Sequence, residues 1–239
     1  MYTYKAHKIL TILYLVEYAC SNSQKAFNAE LTAEGYHQGG LGDGVTIGNI
    51  KVNGVDTWSF IPCGSTDEHG NFTGITLVTV NSTDAEGTAT QKTYSVPTYR
   101  GIDNPFGHVW KNVIDQLVHF NAETGNNDVY TISDLTKFGS TSISDYTYQF
   151  STTVKEGYRK KLIYNESFDL YPPTDETYGA NTSTYWCDYN WTTNSTSDRT
   201  LLLGGYTGHG AGSGLLTLNS NYELSYAAGG VGTRLIYIP

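Results

Sequence analysis

Apolar residues recur at helical spacing along the first twenty positions. Ala6, Ile9, Leu10, Leu13, Val16 and Cys20 fall on one face, and Ser21, Asn22 and Ser23 follow as breakers. The pattern predicts an amphipathic helix over 4–20 that packs this face on a sheet. A charge placed at Leu13 is then expected to cost several kcal/mol. The same stretch imitates a signal peptide ending at Cys20, but Glu17 and Tyr18 interrupt the apolar run and leave it short. No stretch is long enough to span a bilayer.

The pattern then changes. "HQGGLGDGVTIGN" (37–49) places five Gly in thirteen positions and reads as turns. It lacks the G-x-x-x-x-G-K-[ST] order of a phosphate cradle. "DTWSFIPCG" (56–64) reads as a short strand. "GNFTGITLVTVNST" (70–83) and "TQKTYSVPTY" (90–99) alternate with period two and predict paired strands. "DVYTISDL" (128–135) and "YTYQFSTTV" (146–154) are further polar-aromatic segments, and residues 161–200 are loop-rich. Near the C-terminus, Leu215, Leu216, Leu218 and Leu224 alternate with Tyr, Asn, Ser and His. That alternation predicts one inward apolar face and one displayed polar face. "GTRLIYIP" (232–239) predicts an apolar closing strand in the same compact domain as the helix.

Composition narrows the function classes. The chain has 239 residues, of which 38% are hydrophobic and only 15% charged, with 20 Tyr and 26 Gly. Such a chain folds, with many strands and turns, and no linker or repeat divides it. One domain over 1–239 is the simplest account. A net charge of −9 without a basic cluster argues against nucleic-acid binding. Cys20, Cys63 and Cys187 are far apart and odd in number, which predicts buried free thiols or at most one bridge and no metal spacing.

The densest motif is "YRGIDNPFGHVWKN" (99–112). Gly101 and Gly107 permit backbone closed to other residues, Pro105 fixes its own φ and holds Asn104 extended, and Phe106, Val109, Trp110 and Val113 supply buried area. The stretch reads as a rigid turn feeding a core strand, with Trp110 deeply buried. Asp103, Asp115 and His108 or His119 form an acid–base set only if folding brings a nucleophile beside them. His209, alone among Gly, reads as the tip of an exposed loop. Tyr185, Trp186, Tyr189, Asn190 and Trp191 have the composition of a recognition loop, with one Trp expected in the core and one outside.

"NPFGHVWKNV" (104–113) resembles a segment of formylglycine-generating-enzyme-like domains, which have a variant C-type lectin fold. Arg199 before "LLLGGYTG", with Gly204 and Gly205 at a paired-Gly position, and Gly232 and Arg234 near the end are similar to that family's C-terminal pattern. The helix followed by "SNSQ" and "GLGDGVT" is similar to bacteriophage tail-fibre and related virion proteins. The resemblance implies an α+β, C-type lectin-like domain, the C-terminal part of a longer fibre. It also implies a homo-oligomer such as a homotrimer, displayed on the virion surface, with a diversity-generating variable segment. The implied function is non-enzymatic attachment to a host receptor, polysaccharide or protein, with no cofactor, metal or membrane insertion. The implied contact residues are Tyr185, Trp186, Tyr189, Asn190, Tyr206, His209, Asn219, Asn221, Tyr222 and Tyr226. The alternatives are a structural capsid or fibre subunit and a formylglycine-generating-type oxidase. The enzymes of that family need a close Cys pair near the C-terminal motif, which this chain lacks between Gly204 and Pro239.

Overall fold

The computed structural model describes residues 2–27, 49–52, 55–58, 67–83, 87–164 and 168–233. The architecture is α+β: one main helix with antiparallel and mixed sheets. The Gly-rich turns at 37–48, most of the strand expected at 56–64, Cys63, and Arg234–Pro239 of the closing segment lie outside the described residues.

Helix α1 (Tyr4–Tyr18) starts at Thr3, whose side chain accepts from the Ala6 N–H at 3.2 Å. The Asp115 carboxylate accepts from the next orphan donors, Tyr4 N–H at 2.7 Å and Lys5 N–H at 3.4 Å. Asp115 is therefore a helix cap rather than part of an acid–base set. The helix ends where Ala19 turns left-handed (φ 48°) and its N–H bonds the Leu15 carbonyl.

The buried face differs from the expected one. It consists of Tyr4, His7, Leu10, Thr11 and Tyr14, while Ile9, Leu13 and Val16 are exposed. The physical reason is polar satisfaction. His7 bonds the Tyr2 hydroxyl at 2.7 Å and the Leu215 carbonyl at 2.6 Å. Thr11 donates to the His7 carbonyl, Tyr14 to the Ser23 carbonyl and Tyr4 to Asp169. A polar tip that is bonded inside lets the whole side chain bury.

Strands β1 (Asn49–Val52) and β2 (Val55–Trp58) form a hairpin. β3 (Gly74–Thr83) and β4 (Ala89–Tyr99) pair antiparallel, as the alternation implied, with Gly74 opposite Thr98 and Thr83 opposite Ala89, and β5 (Ile102–Asp103) extends them. β7 (Gln116–Asn121), β8 (Asn126–Thr131) and β9 (Thr147–Thr152) make a three-stranded sheet.

The remaining sheet has six strands: β6 (Trp110–Asn112), β10 (Gly157–Tyr158), β11 (Tyr189–Thr192), β12 (Leu202–Leu203), β13 (Leu218–Ser220) and β14 (Val231–Gly232). Their order is β10-β11-β13-β12-β6-β14. The β11–β13 and β14–β6 pairs are parallel. Lying inside this sheet, β13 is buried at all three residues. The expected alternation of inward Leu and displayed Asn does not hold there, and Leu224 is only half-buried.

One core cluster joins Tyr4 of α1 to Val113, Val118, Leu201, Leu203, Leu216 and Leu218. A second gathers Leu10, Tyr14, Tyr99, Phe106 and Leu215. The 99–112 motif is a rigid turn into a core strand; its Tyr99 and Phe106 sit in the second cluster, and Val113, just after it, sits in the first. Trp110 is 4% exposed, and Gly107 (φ 81°) donates to the Gly204 carbonyl at 2.9 Å. Asn104 is left-handed (φ 45°), not extended, and its N–H reaches back to the Pro97 carbonyl at 2.8 Å. Asn is among the few residues that tolerate this conformation. At Gly205 (φ 79°) an added Cβ would lie 2.8 Å from the Ser213 Cβ, so the paired glycines permit a close chain crossing.

Candidate recognition face

Along β11 the side chains alternate. Tyr189 and Trp191 are half-buried, while Asn190 and Thr192 are buried on the other side. Tyr189 stands edge-on to Tyr158 of β10, its register partner, with ring centroids 5.0 Å apart. It also meets Trp191 at 4.4 Å.

A 3-10 segment, Thr207–Gly212, kinks at Gly210 and brings His209 onto this row. His209 stacks on Trp191 at 4.4 Å with an interplanar angle of 22°. Tyr206 meets the same imidazole edge-on at 4.1 Å, and Trp110 meets it at 5.1 Å from below. Gly212 carries the segment across the Trp191 ring, where an added Cβ would sit 3.1 Å away. The result is a continuous row of rings: Tyr158, Tyr189, Trp191, His209, Tyr206.

Burial controls the electrostatics of this row. It pushes His209 down to about 4, so the imidazole is neutral at neutral pH. Its buried Nδ1 has no hydrogen-bond partner among the described residues. Burial also raises Tyr206 and Tyr189, and both stay protonated hydroxyls. The site thus presents uncharged faces with polar edges.

The frame beneath is polar and fixed. Asp188, next to Tyr189, accepts from Leu216 N–H at 2.8 Å and from Ser23 Oγ at 3.2 Å. Burial raises this carboxyl to about 7. Arg159, fully buried, donates to the Leu170 carbonyl at 2.5 Å and to the Leu216 carbonyl. Glu156 accepts from Thr192 N–H at 3.0 Å and from the Asn221 amide at 2.9 Å.

The ten expected contact residues divide. Tyr189, Tyr206 and His209 share the ring row. Tyr222 and Tyr226 stack on each other, with centroids 3.8 Å apart at 12°, and the neighbouring Tyr226 helps to raise Tyr206. Asn221 is half-buried and pins Glu156. Asn190 and Asn219 are not displayed: both are buried in the sheet, where Asn219 accepts from the Asn221 N–H. Trp186 packs against the main core. Tyr185 is exposed but belongs elsewhere, beside the end of α1, where its carbonyl accepts from Ser21 Oγ at 2.5 Å. His209 is half-buried under rings rather than at an exposed tip.

Tyr158 and Trp110 were not expected in the site. The period-two pair Tyr189–Trp191 was the available signal for Trp191, but nothing local points to Tyr158, which arrives by strand pairing. His119 pairs with Asp198 at 2.7 Å, while the Asp115 carboxylate is spent on the start of α1.

Cys20 and Cys187 are free thiols, and burial pushes Cys187 up to about 11. Among the described residues no group of three or more His, Cys, Asp or Glu is placed to hold a metal ion. Among them, too, no helix is long and apolar enough to cross a membrane. No family model, curated protein or solved structure matches the chain.

Proposed function

We propose that the chain is a non-enzymatic recognition domain whose ring row binds a saccharide of a cell-surface polymer. The row from Tyr158 to Tyr206, uncharged and half-buried around a neutral His209, carries this reading. Flat aromatic faces stack on the C–H faces of sugar rings, and rigid rings lose little entropy on binding.

The wider reading is a C-type lectin-like domain of a bacteriophage fibre that attaches to a host receptor. Its support is the set of motif segments, which lie side by side in one sheet. Lys111 of the 99–112 motif pairs with Leu203, just before the paired Gly, and with Gly232 near the end. The oxidase alternative has less support, because the close Cys pair that the family's enzymes carry near the C-terminal motif is missing between Gly204 and Pro239. An assembly role has one specific observation in its favour, the exposed apolar residues of α1.

The test is adsorption of the purified chain to host cells and to their isolated surface polysaccharide. A Tyr189→Ala/Tyr206→Ala variant with unchanged melting should lose both. Undiminished adsorption of the variant refutes the assignment of this face.

A further inference from the structure

The row of rings forms where two stretches of chain meet. One is β11, which carries Tyr189 and Trp191. The other is the kinked segment Thr207–Gly212, which carries His209. Strand pairing holds β11 against β13 from Leu218 onwards and does not reach that segment. The segment's own bonds keep its shape: His209 N–H to the Tyr206 carbonyl and Ser213 N–H to the Gly210 carbonyl, both at 3.1 Å, and the Thr217 hydroxyl to the Gly212 carbonyl at 2.7 Å. None of these joins it to β11.

The join comes from Ser21-Asn22-Ser23-Gln24, directly after α1. Four successive side chains each bond a group far away in the chain. Ser21 Oγ donates to the Tyr185 carbonyl at 2.5 Å, and Asn22 Nδ2 to the Thr182 carbonyl at 2.9 Å. Ser23 Oγ donates to Asp188 at 3.2 Å and accepts from Leu215 N–H at 2.8 Å. Gln24 Nε2 donates to the Gly210 carbonyl at 2.7 Å and to the Ser213 carbonyl at 2.8 Å. The first two grip the approach to β11, Gln24 grips the kinked segment, and Ser23 holds both sides.

Gln24 is 3% exposed, and its Oε1 has no hydrogen-bond partner among the described residues. A buried amide with an orphan oxygen costs stability. What the position gains is a two-point hold on the kink, which Gly210 makes with φ 46° and ψ −125°.

We infer that Gln24 is a positioning residue of the ring row: through the Gly210 and Ser213 carbonyls, its amide sets His209 against the face of Trp191. That this matters for binding rests on the saccharide reading of the row; the positioning itself does not.

Gln24→Met keeps the length of the side chain and removes both donated bonds. In the wild type the Trp191 ring current shields the His209 imidazole protons, because the two rings lie 4.4 Å apart at 22°. In proton NMR of Gln24→Met those protons should lose most of that shielding. The His209 titration midpoint should rise from about 4 towards 6.5 as the imidazole leaves its buried place. The Trp186 indole N–H, on the main core, should not move. A lower melting temperature with both His209 readings as in the wild type would overturn the inference. The wild type gives an independent reading should the variant not fold. Both Gln24 side-chain amide protons, bonded and buried, should exchange with water at least about tenfold more slowly than those of exposed Gln149. Equal rates would overturn the inference too. Gln24→Met should also bind oligosaccharides released from the host's surface polysaccharide about tenfold more weakly than the wild type. Displaced His209 signals with unchanged affinity would refute the role in binding. A wild type that binds none of them contradicts the saccharide reading and leaves the His209 signals to decide the positioning.

Discussion

Acidification from about pH 7 to about pH 4 titrates two buried groups with opposite effects on stability. His209 under Trp191 is held down to about 4 from an ordinary 6.5. Between these values the unfolded chain carries a proton that the folded chain refuses. His209 therefore costs stability as the pH falls through that window. At about 1.4 kcal/mol per pKa unit, the full cost is roughly 3 kcal/mol. Asp188 is raised to about 7 from an ordinary 3.8 by burial, which outweighs its bonds from Leu216 and Ser23. Here the folded chain keeps the proton longer. Asp188 thus contributes stability that is complete at acid pH and lost as the pH rises through about 7. Its size is roughly 4 kcal/mol by the same conversion. The two nearly cancel in the wild type. Urea denaturation across this range, on wild type, Asp188→Asn and His209→Gln, separates them. Asp188→Asn should lose roughly 2–3 kcal/mol relative to wild type on acidification, and His209→Gln should gain a comparable amount. Only the slopes against pH matter, so a uniform loss from either substitution is immaterial. Slopes of the same sign in the two variants would refute the burial assigned to both groups.

Other substitutions test the frame. Trp110→Ala should cost about 3–5 kcal/mol in chemical denaturation, since the ring is buried beneath His209 and Trp191, and it should abolish ligand binding as well. Gly205→Ala should cost about 2–4 kcal/mol by the same assay, combining a left-handed backbone with a forced approach to Ser213. Leu13→Asp should change the stability of the isolated monomer by less than about 1 kcal/mol, because the side chain is solvent-facing within one chain. Alkylation of Cys187 at neutral pH, followed by peptide mapping, should be much slower than that of a free thiol peptide, since burial keeps it protonated.

Much of the local structure was legible in the sequence, because it depends on near neighbours. Period-two alternation revealed the β3–β4 pair, and the Gly-Asn-Pro-Gly-Trp order revealed a turn leading to a buried Trp110. The face of α1 was not legible. Ranking by hydropathy places Ile9, Leu13 and Val16 inside, whereas Tyr4, His7, Thr11 and Tyr14 go inside because each finds an internal partner. Those partners lie as far away as Asp169 and Leu215. The burial of Asn190 and Asn219 was missed for a related reason: the parallel pairing of β11 with β13 places both in the sheet interior, and no local signal announces it. In the candidate site the residue types were legible and their convergence was not. Tyr189, Tyr206 and His209 meet only through that pairing and the kink at Gly210.

The ring row as a saccharide site is tested most directly at its centre. The four Trp residues of the chain give separate indole N–H signals in a two-dimensional nitrogen–proton spectrum. On titration with oligosaccharides released from the host's surface polysaccharide, the Trp191 signal should shift in a saturable way. The His209 imidazole carbons should move with it, while Trp186, packed on the main core, stays in place. Saturable binding that leaves Trp191 and His209 unmoved would contradict the account.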